Sequence, residues 1–247
     1  MSGLSRFLSV LRCFDETKSN WTVQELADRL QVPTSTIYRT VRELSAQGFL
    51  EPSTEAHYRL GSAFVEFDRM IRVTDPLVKC GVPLLRDLAA ELGLPCVAVL
   101  ARLYGDRVIC AADERYKGAD LMVSYERGRP MPLVKGATSK AILAQLPARR
   151  LRKLLEPAFG NDAKQLASFR TELTNIRKSG YCITEGEVDP DLRGVAVPVS
   201  SAALAVSASL SLIVRADAMT ESLERRMILL LVSSASMLAG SLAKASE

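Results

Sequence analysis

The sequence predicts a mixed α/β chain (α+β): a short, mainly helical N-terminal part, then a larger part built on mainly antiparallel sheet flanked by helices. Three observations carry that prediction. Apolar residues recur at helical spacing from Phe7 to Leu44. Two short β-rich runs then flank Pro52. Further on, alternating or continuously apolar runs cluster between helical ones, several joined by short turns.

The elements follow in order. Residues 5–17 read as a helix with Phe7, Leu8, Leu11 and Phe14 along one face. Asn20 to Thr22 supply polar cap residues for a second helix, whose stripe is Val23, Leu26, Ala27 and Leu30. Gln31-Val32-Pro33 breaks it, because proline suits a first turn but not a helix interior. The third helix buries Ile37, Val41 and Leu44 and stops at Gly48. Phe49-Leu50 and Tyr58 to Leu60 read as strands around a turn at Pro52 to Ala56. That order is a winged helix-turn-helix.

Residues 62–77 read as a linking helix, and Pro76 and Gly81-Val82-Pro83 punctuate the passage onward. The expected division is therefore 1–61, 62–77 and 78–247. In the last part CVAVLARL, DRVICAADE, DLMVSYE, GVAVPVSS and AVSASLSLIV read as strands. ATSKAILAQL, ARRLRKLLE, AKQLASFRTELTNIRKSG and the closing run from Thr220 read as helices.

Bulk composition bounds the function. The 247 residues suffice for one large or two ordinary domains, and 48% apolar with 24% charged residues is ordinary for a globular protein. The net charge is +4, yet residues 1–60 hold seven basic and seven acidic side chains, so any DNA contact depends on where the arginines sit. Five dispersed cysteines and the single His57 make neither a zinc site nor a disulfide framework, which fits a reducing, cytoplasmic setting. The uncharged run 227–243 lies at the lower limit for a bilayer span, where roughly 20 residues are normal. It reads as a buried or oligomer-facing helix. GxSxG, HExxH, P-loop and GxGxxG motifs are absent from the sequence, so neither an enzyme nor a cofactor is expected.

The third helix is the sharpest feature. Opposite its buried stripe it presents Thr34, Ser35, Thr36, Tyr38, Arg39, Arg42 and Glu43, of which all but Glu43 are the expected DNA contacts. Short hydroxyls and free N–H groups at a helix start suit phosphate oxygens, and arginines one turn apart suit base edges or phosphates. Alone, such a helix would read as a solvated amphipathic surface; between a tight turn and a wing it reads as a DNA reader.

The chain resembles the IclR family of bacterial transcription regulators along its whole length. VQELADRLQVPTSTIYRTVRELSAQGFLE with YRLG is similar to the family's helix-turn-helix and wing, MPLVKGATSKAILAQLP to its proline-led loop and helix, and RKSGYCITEGEVDPDLRGVAVPV to its late signature; the closing TESLERR helix fits as well. The resemblance implies a C-terminal domain similar to GAF or PAS sensors, double-stranded operator DNA and a small-molecule effector, often an organic or aromatic acid, as partners, and a homodimer that pairs into a homotetramer. Carried over by position, the effector residues are Gly128, Met131, Leu133, Lys135, Gly136, Ala137, Thr138, Ser139, Glu187, Asp191, Gly194 and Ser211. Two depart from the family pattern: Asp191 stands where glycine is common and Gly194 where cysteine is. Arg193 is a further candidate for reading a carboxylate, and Val195, with Met131 and Leu133, for an apolar lining. A ligand-independent DNA-binding assembly is the alternative reading; an enzyme with an appended DNA-binding domain is a more remote one.

Overall fold

A computed structural model describes residues 3–117 and 121–246, and the chain divides into two compact units, Met1–Thr74 and Asp75–Glu247. The first contains α1 (Gly3–Leu11), β1 (Trp21–Thr22), α2 (Val23–Leu30), α3 (Thr34–Ala46), β2 (Leu50–Pro52), β3 (His57–Leu60) and α4 (Ala63–Thr74). Its core is Val10, Leu26, Ala27, Ile37, Val41, Leu44 and Leu50, so the expected helical stripes do meet.

Two details differ from expectation. Helix α1 stops at Leu11 rather than at residue 17, because the Asp15 carboxylate gathers the Thr17 and Lys18 N–H groups into a local turn. Residues Trp21-Thr22 also form an edge strand, giving a wing sheet of order β1-β3-β2. Thr22 then serves twice, ending β1 and closing a capping box with Glu25.

The second unit holds a six-stranded antiparallel sheet of order β6-β5-β4-β9-β8-β7. Its strands are β4 (Cys96–Tyr104), β5 (Arg107–Tyr116), β6 (Pro130–Met131), β7 (Cys182–Glu185), β8 (Leu192–Ser201) and β9 (Val206–Arg215). Helices α5 (Pro76–Leu92) and α9 (Glu221–Lys244) cover one face; α6 (Ala137–Ala144), α7 (Ala148–Phe159) and α8 (Ala163–Ser179) cover the other. Because side chains alternate across a strand, the central strands are apolar on both faces: Val97, Val99 and Ala101 join the core under α6, and Ala98 and Leu100 the core under α5. Strand β9 is the exception, turning Ser209 and Ser211 toward α6.

The punctuation expected at Gly81-Val82-Pro83 lies inside α5. Pro83 and Lys79, whose carbonyl loses its helical donor, both face solvent, so the defect is hydrated. Gly81 is required there: a Cβ would stand 2.5 Å from Leu100 Cδ2. The break comes earlier, where Asp75 caps α5 through the Leu77 N–H and pairs with Arg102 at 2.8 Å. The expected strand at Asp120 to Glu126 forms no ladder over its described residues. Leu121, Val123 and Tyr125 alternate inward, but the Ser124 N–H donates to the Asp189 carboxylate, not to a strand; Asp120 lies outside the described residues.

Helix α9 is long and apolar enough to cross a membrane by length and composition. It buries Met227, Leu231, Leu238 and Leu242 completely against the sheet and α5, each contributing about 1.5–3 kcal/mol.

The capping box yields a test. Thr22→Ala removes the acceptor for the Glu25 N–H and is expected to destabilise the N-terminal unit by about 1 kcal/mol. Trp21 is the single tryptophan and stacks under Lys18, so its fluorescence during denaturant unfolding reports this unit. An unchanged midpoint would contradict the cap's role.

Candidate functional site

Helix α3 follows Pro33, which offers no side-chain cap; the Thr36 N–H donates to the Pro33 carbonyl, and the Thr34 and Ser35 N–H groups stay open among the described residues. Thr34, Ser35, Tyr38, Arg39 and Arg42 are exposed, and Thr36 is half-buried. Thr34 donates to Gln24 Oε1 at 3.1 Å, joining α3 to α2. Arg6 donates to Thr40, which lies in the buried seam, tying α1 to α3. Arg39 and Arg42 take part in no ion pair among the described residues. Elsewhere in this unit charges cancel locally: Lys18 with Glu25 at 2.6 Å and Arg59 with Glu51 at 2.6 Å. Hydrogen bonds from Lys18 and the Thr22 backbone hold the Glu25 carboxyl down at about 2. The balanced charge of residues 1–60 therefore conceals a helix face carrying unpaired guanidinium groups. In the wing, Glu55 and Ala56 adopt positive φ and His57 Nδ1 lies 3.1 Å from the Thr54 carbonyl oxygen, which fixes a tight tip.

The second constellation surrounds the start of α6. Gly136 has φ 81, and a Cβ there would lie 2.7 Å from both Tyr125 Oη and Val188 Cγ2, so glycine alone fits. The Gly136 N–H donates to Glu187 Oε2 at 2.8 Å and the Ala137 N–H to Thr184 Oγ1 at 2.9 Å. Thr138 Oγ1 lies 2.9 Å from Ser211 Oγ, and Ser209 donates to the Thr138 carbonyl at 3.0 Å. Ser139 is buried and its Oγ has no hydrogen-bond partner. One turn on, Lys140 is 5% exposed and donates to both Glu187 and Glu172 at 2.7 Å. Burial pulls its pKa down, but the hydrogen bonds it donates to Glu172 and Glu187 outweigh this and raise it, so Lys140 stays an ammonium. Burial pushes the Tyr125 hydroxyl up to about 12, keeping it a neutral donor. The space enclosed by Tyr125, Thr138, Glu187, Asp189, Gly194 and Ile213 is about 20 Å³, room for roughly one water.

Of the residues carried over from sequence, Gly136, Ala137, Thr138, Ser139, Glu187, Gly194 and Ser211 gather at this helix start. The others stand apart. Gly128 is exposed in the turn before β6, donating to the Cys110 carbonyl. Met131 is buried and Leu133 half-buried in the core beside α6, and Lys135 is exposed. Asp191 is exposed at φ 60, which accounts for the glycine common at its position: the turn needs a left-handed residue, and aspartate tolerates one. Val195 cannot line this space, because with Gly194 toward α6 the alternation puts Val195 in the core under α5 and α9. By the same alternation Arg193 turns to α9, donating to Glu224 at 2.6 Å. Sequence reading missed Tyr125, Thr184, Asp189 and Glu172 as members of the cluster, and reached Lys140 only as part of the Thr138–Lys140 helix start. Only Lys140 gave a signal, as the lone charge in ATSKAILAQL.

The thiols of Cys96, Cys110 and Cys182 are pushed up by burial, to about 11, 12 and 12, so none is a thiolate nucleophile near neutrality. Among the described residues no group of three or more His, Cys, Asp and Glu could hold a metal.

Comparison with known proteins places these features. Residues 3–53 match the family model described as the IclR helix-turn-helix domain, and residues 73–239 the one described as bacterial transcriptional regulator IclR C-terminal. The Pca regulon regulatory protein of Pseudomonas putida is 26% identical over 94% of this chain and 81% of its own length. The transcriptional repressor IclR of Escherichia coli K12 is 27% identical over 79% of this chain and 73% of its own. An IclR transcriptional regulator from Alicyclobacillus acidocaldarius shares the fold at a TM-score of 0.79 with 24% identity, over 97% of this chain and 98% of its own. An IclR homologue from Microbacterium hydrocarbonoxydans, solved with 4-hydroxybenzoate, also gives 0.79 at 21% identity, over 98% and 100%. These relatives are regulators rather than enzymes.

Replacing Lys140 tests the cluster. Lys140→Met strips the shared cation from Glu172 and Glu187 and is expected to cost about 2–3 kcal/mol, read by thermal unfolding of the second unit. A variant as stable as wild type would show that the two carboxylates do not depend on it.

Proposed function

Because the chain belongs to the IclR family of bacterial transcription regulators, we propose that α3 reads an operator and that an organic acid, seated at the start of α6, changes the affinity for that operator. The observation that carries the effector half is the carboxylate already there: the Gly136 N–H and the Lys140 ammonium hold Glu187. Groups that satisfy an internal carboxylate suit an incoming one. With about 20 Å³ enclosed, an acid enters by displacing Glu187. The aromatic acid on the Microbacterium homologue supports an aromatic or similar organic acid as ligand. A ligand alters operator binding only by its differential affinity for two states, and exchange of Glu187 for an external carboxylate supplies such a difference.

The protein acts as a homodimer, and pairs of dimers form the tetramer. Helix α4 supports this by exposing Phe67, Met70 and Ile71 on one side, an apolar surface suited to a second copy. A second reading, ligand-independent DNA binding, draws on the same filled seat.

DNA binding tests both readings. Purified protein is titrated with duplexes from upstream of its own and neighbouring genes, at several salt concentrations. Arg39→Ala with Arg42→Ala is expected to weaken specific binding at least tenfold, since each guanine contact is worth about 1–3 kcal/mol. Carboxylic acids, but not their amides, are expected to change the affinity of wild type. Equal operator binding by the double variant contradicts the assignment of α3; a response to no acid in a broad metabolite panel favours the ligand-independent reading.

A further inference from the structure

A larger hollow lies at the other end of α6, away from the Glu187 seat. It measures about 550 Å³, within the roughly 300–1,000 Å³ usual for small-molecule sites. The end of α6, the start of α7 and the middle of α8 enclose it. Four of its ten lining residues are arginines, Arg149, Arg152, Arg170 and Arg177, and none is acidic. Its accessible apolar lining is Ala148 and half-buried Leu151, backed by the buried Leu146 and Leu173.

The arginines differ in how they are held. Arg177 is anchored from within the fold, its Nε donating to the Ala144 carbonyl and its Nη2 to the Leu146 carbonyl at 2.8 Å. That satisfies carbonyls at the end of α6 and fixes one guanidinium at the wall. Arg152 reaches Glu156 only at 4.0 Å, with both ends about two-thirds exposed, a pair of little strength. Arg149 and Arg170 enter no ion pair among the described residues. Guanidinium groups gathered on one concavity repel one another, and the planar fork of arginine matches carboxylate and phosphate. The site therefore has a charge to be neutralised and an apolar surface to be covered.

We propose that this hollow is a second ligand site, for a small organic dianion with an apolar body, its acidic groups phosphate or carboxylate. The apolar part rests on Ala148 and Leu151 while Arg149 and Arg170 take the charge, with Arg177 as the fixed wall. The site is independent of the Glu187 seat, although α6 runs from one to the other.

The test uses the full chain at low salt, with isothermal titration of phenyl phosphate, phthalate, inorganic phosphate and phenol. Phenyl phosphate or phthalate is expected to bind saturably at millimolar concentration or tighter, inorganic phosphate at least tenfold more weakly than phenyl phosphate, and phenol not at all. Whichever of the first two binds identifies the acidic group. Arg149→Ala with Arg170→Ala is expected to weaken that binding at least tenfold. Both side chains are exposed, so the variant should keep the wild-type unfolding temperature. Two results would overturn the proposal: binding of neither dianion, or equal binding by the double arginine variant.

Discussion

A buried lysine organises the second unit. An ammonium taken out of water must be paired, and Lys140 meets that demand with Glu172 from α8 and Glu187 from the β7–β8 turn. The pairing pins three elements to one point. It also orients Glu187 so that its other oxygen closes the start of α6 at the Gly136 N–H. The helix start is thereby satisfied without a ligand, and the enclosed space shrinks to the scale of a single water. On the proposed function, the same arrangement makes the seat exchangeable: an external carboxylate would take over both bonds while Lys140 keeps Glu172.

The first unit solves a different electrostatic problem. Its charges sum to zero over residues 1–60, yet affinity for a polyanion depends on local arrangement. Internal pairing of Lys18 with Glu25 and Arg59 with Glu51 uses up acidic groups in building the cap and the wing. Arg39 and Arg42 remain outward on α3, beside a helix start with no side-chain cap. A neutral total thus coexists with guanidinium groups on α3 left exposed and, among the described residues, unpaired.

Much of this was legible in the amino-acid order. Helical spacing placed Ile37, Val41 and Leu44 inward, which fixed the exposed face of α3. Long apolar runs announced the central strands, and Thr220 caps α9 as its position suggests. What the order concealed has physical causes. Alternation in Leu121, Val123 and Tyr125 looks like a strand, yet a side-chain carboxylate took the backbone N–H that a neighbouring strand would need. Family position grouped Asp191 with Gly194, and Arg193 and Val195 joined them as further candidates, but a period of two sends neighbours to opposite faces, and a left-handed turn holds Asp191 outside. Tyr125, Thr184 and Glu172 come to the site from distant segments, and no local pattern reports such convergence.

The central claim is that Glu187 occupies a carboxylate seat formed by the Gly136 N–H and Lys140. Chemical rescue of Glu187→Ala tests it most directly, with thermal unfolding followed against increasing formate and, in parallel, formamide. The account predicts a lowered midpoint in the variant, raised saturably by formate and not by formamide, with little response from wild type. An equal formate response in variant and wild type, or none in either, would contradict it.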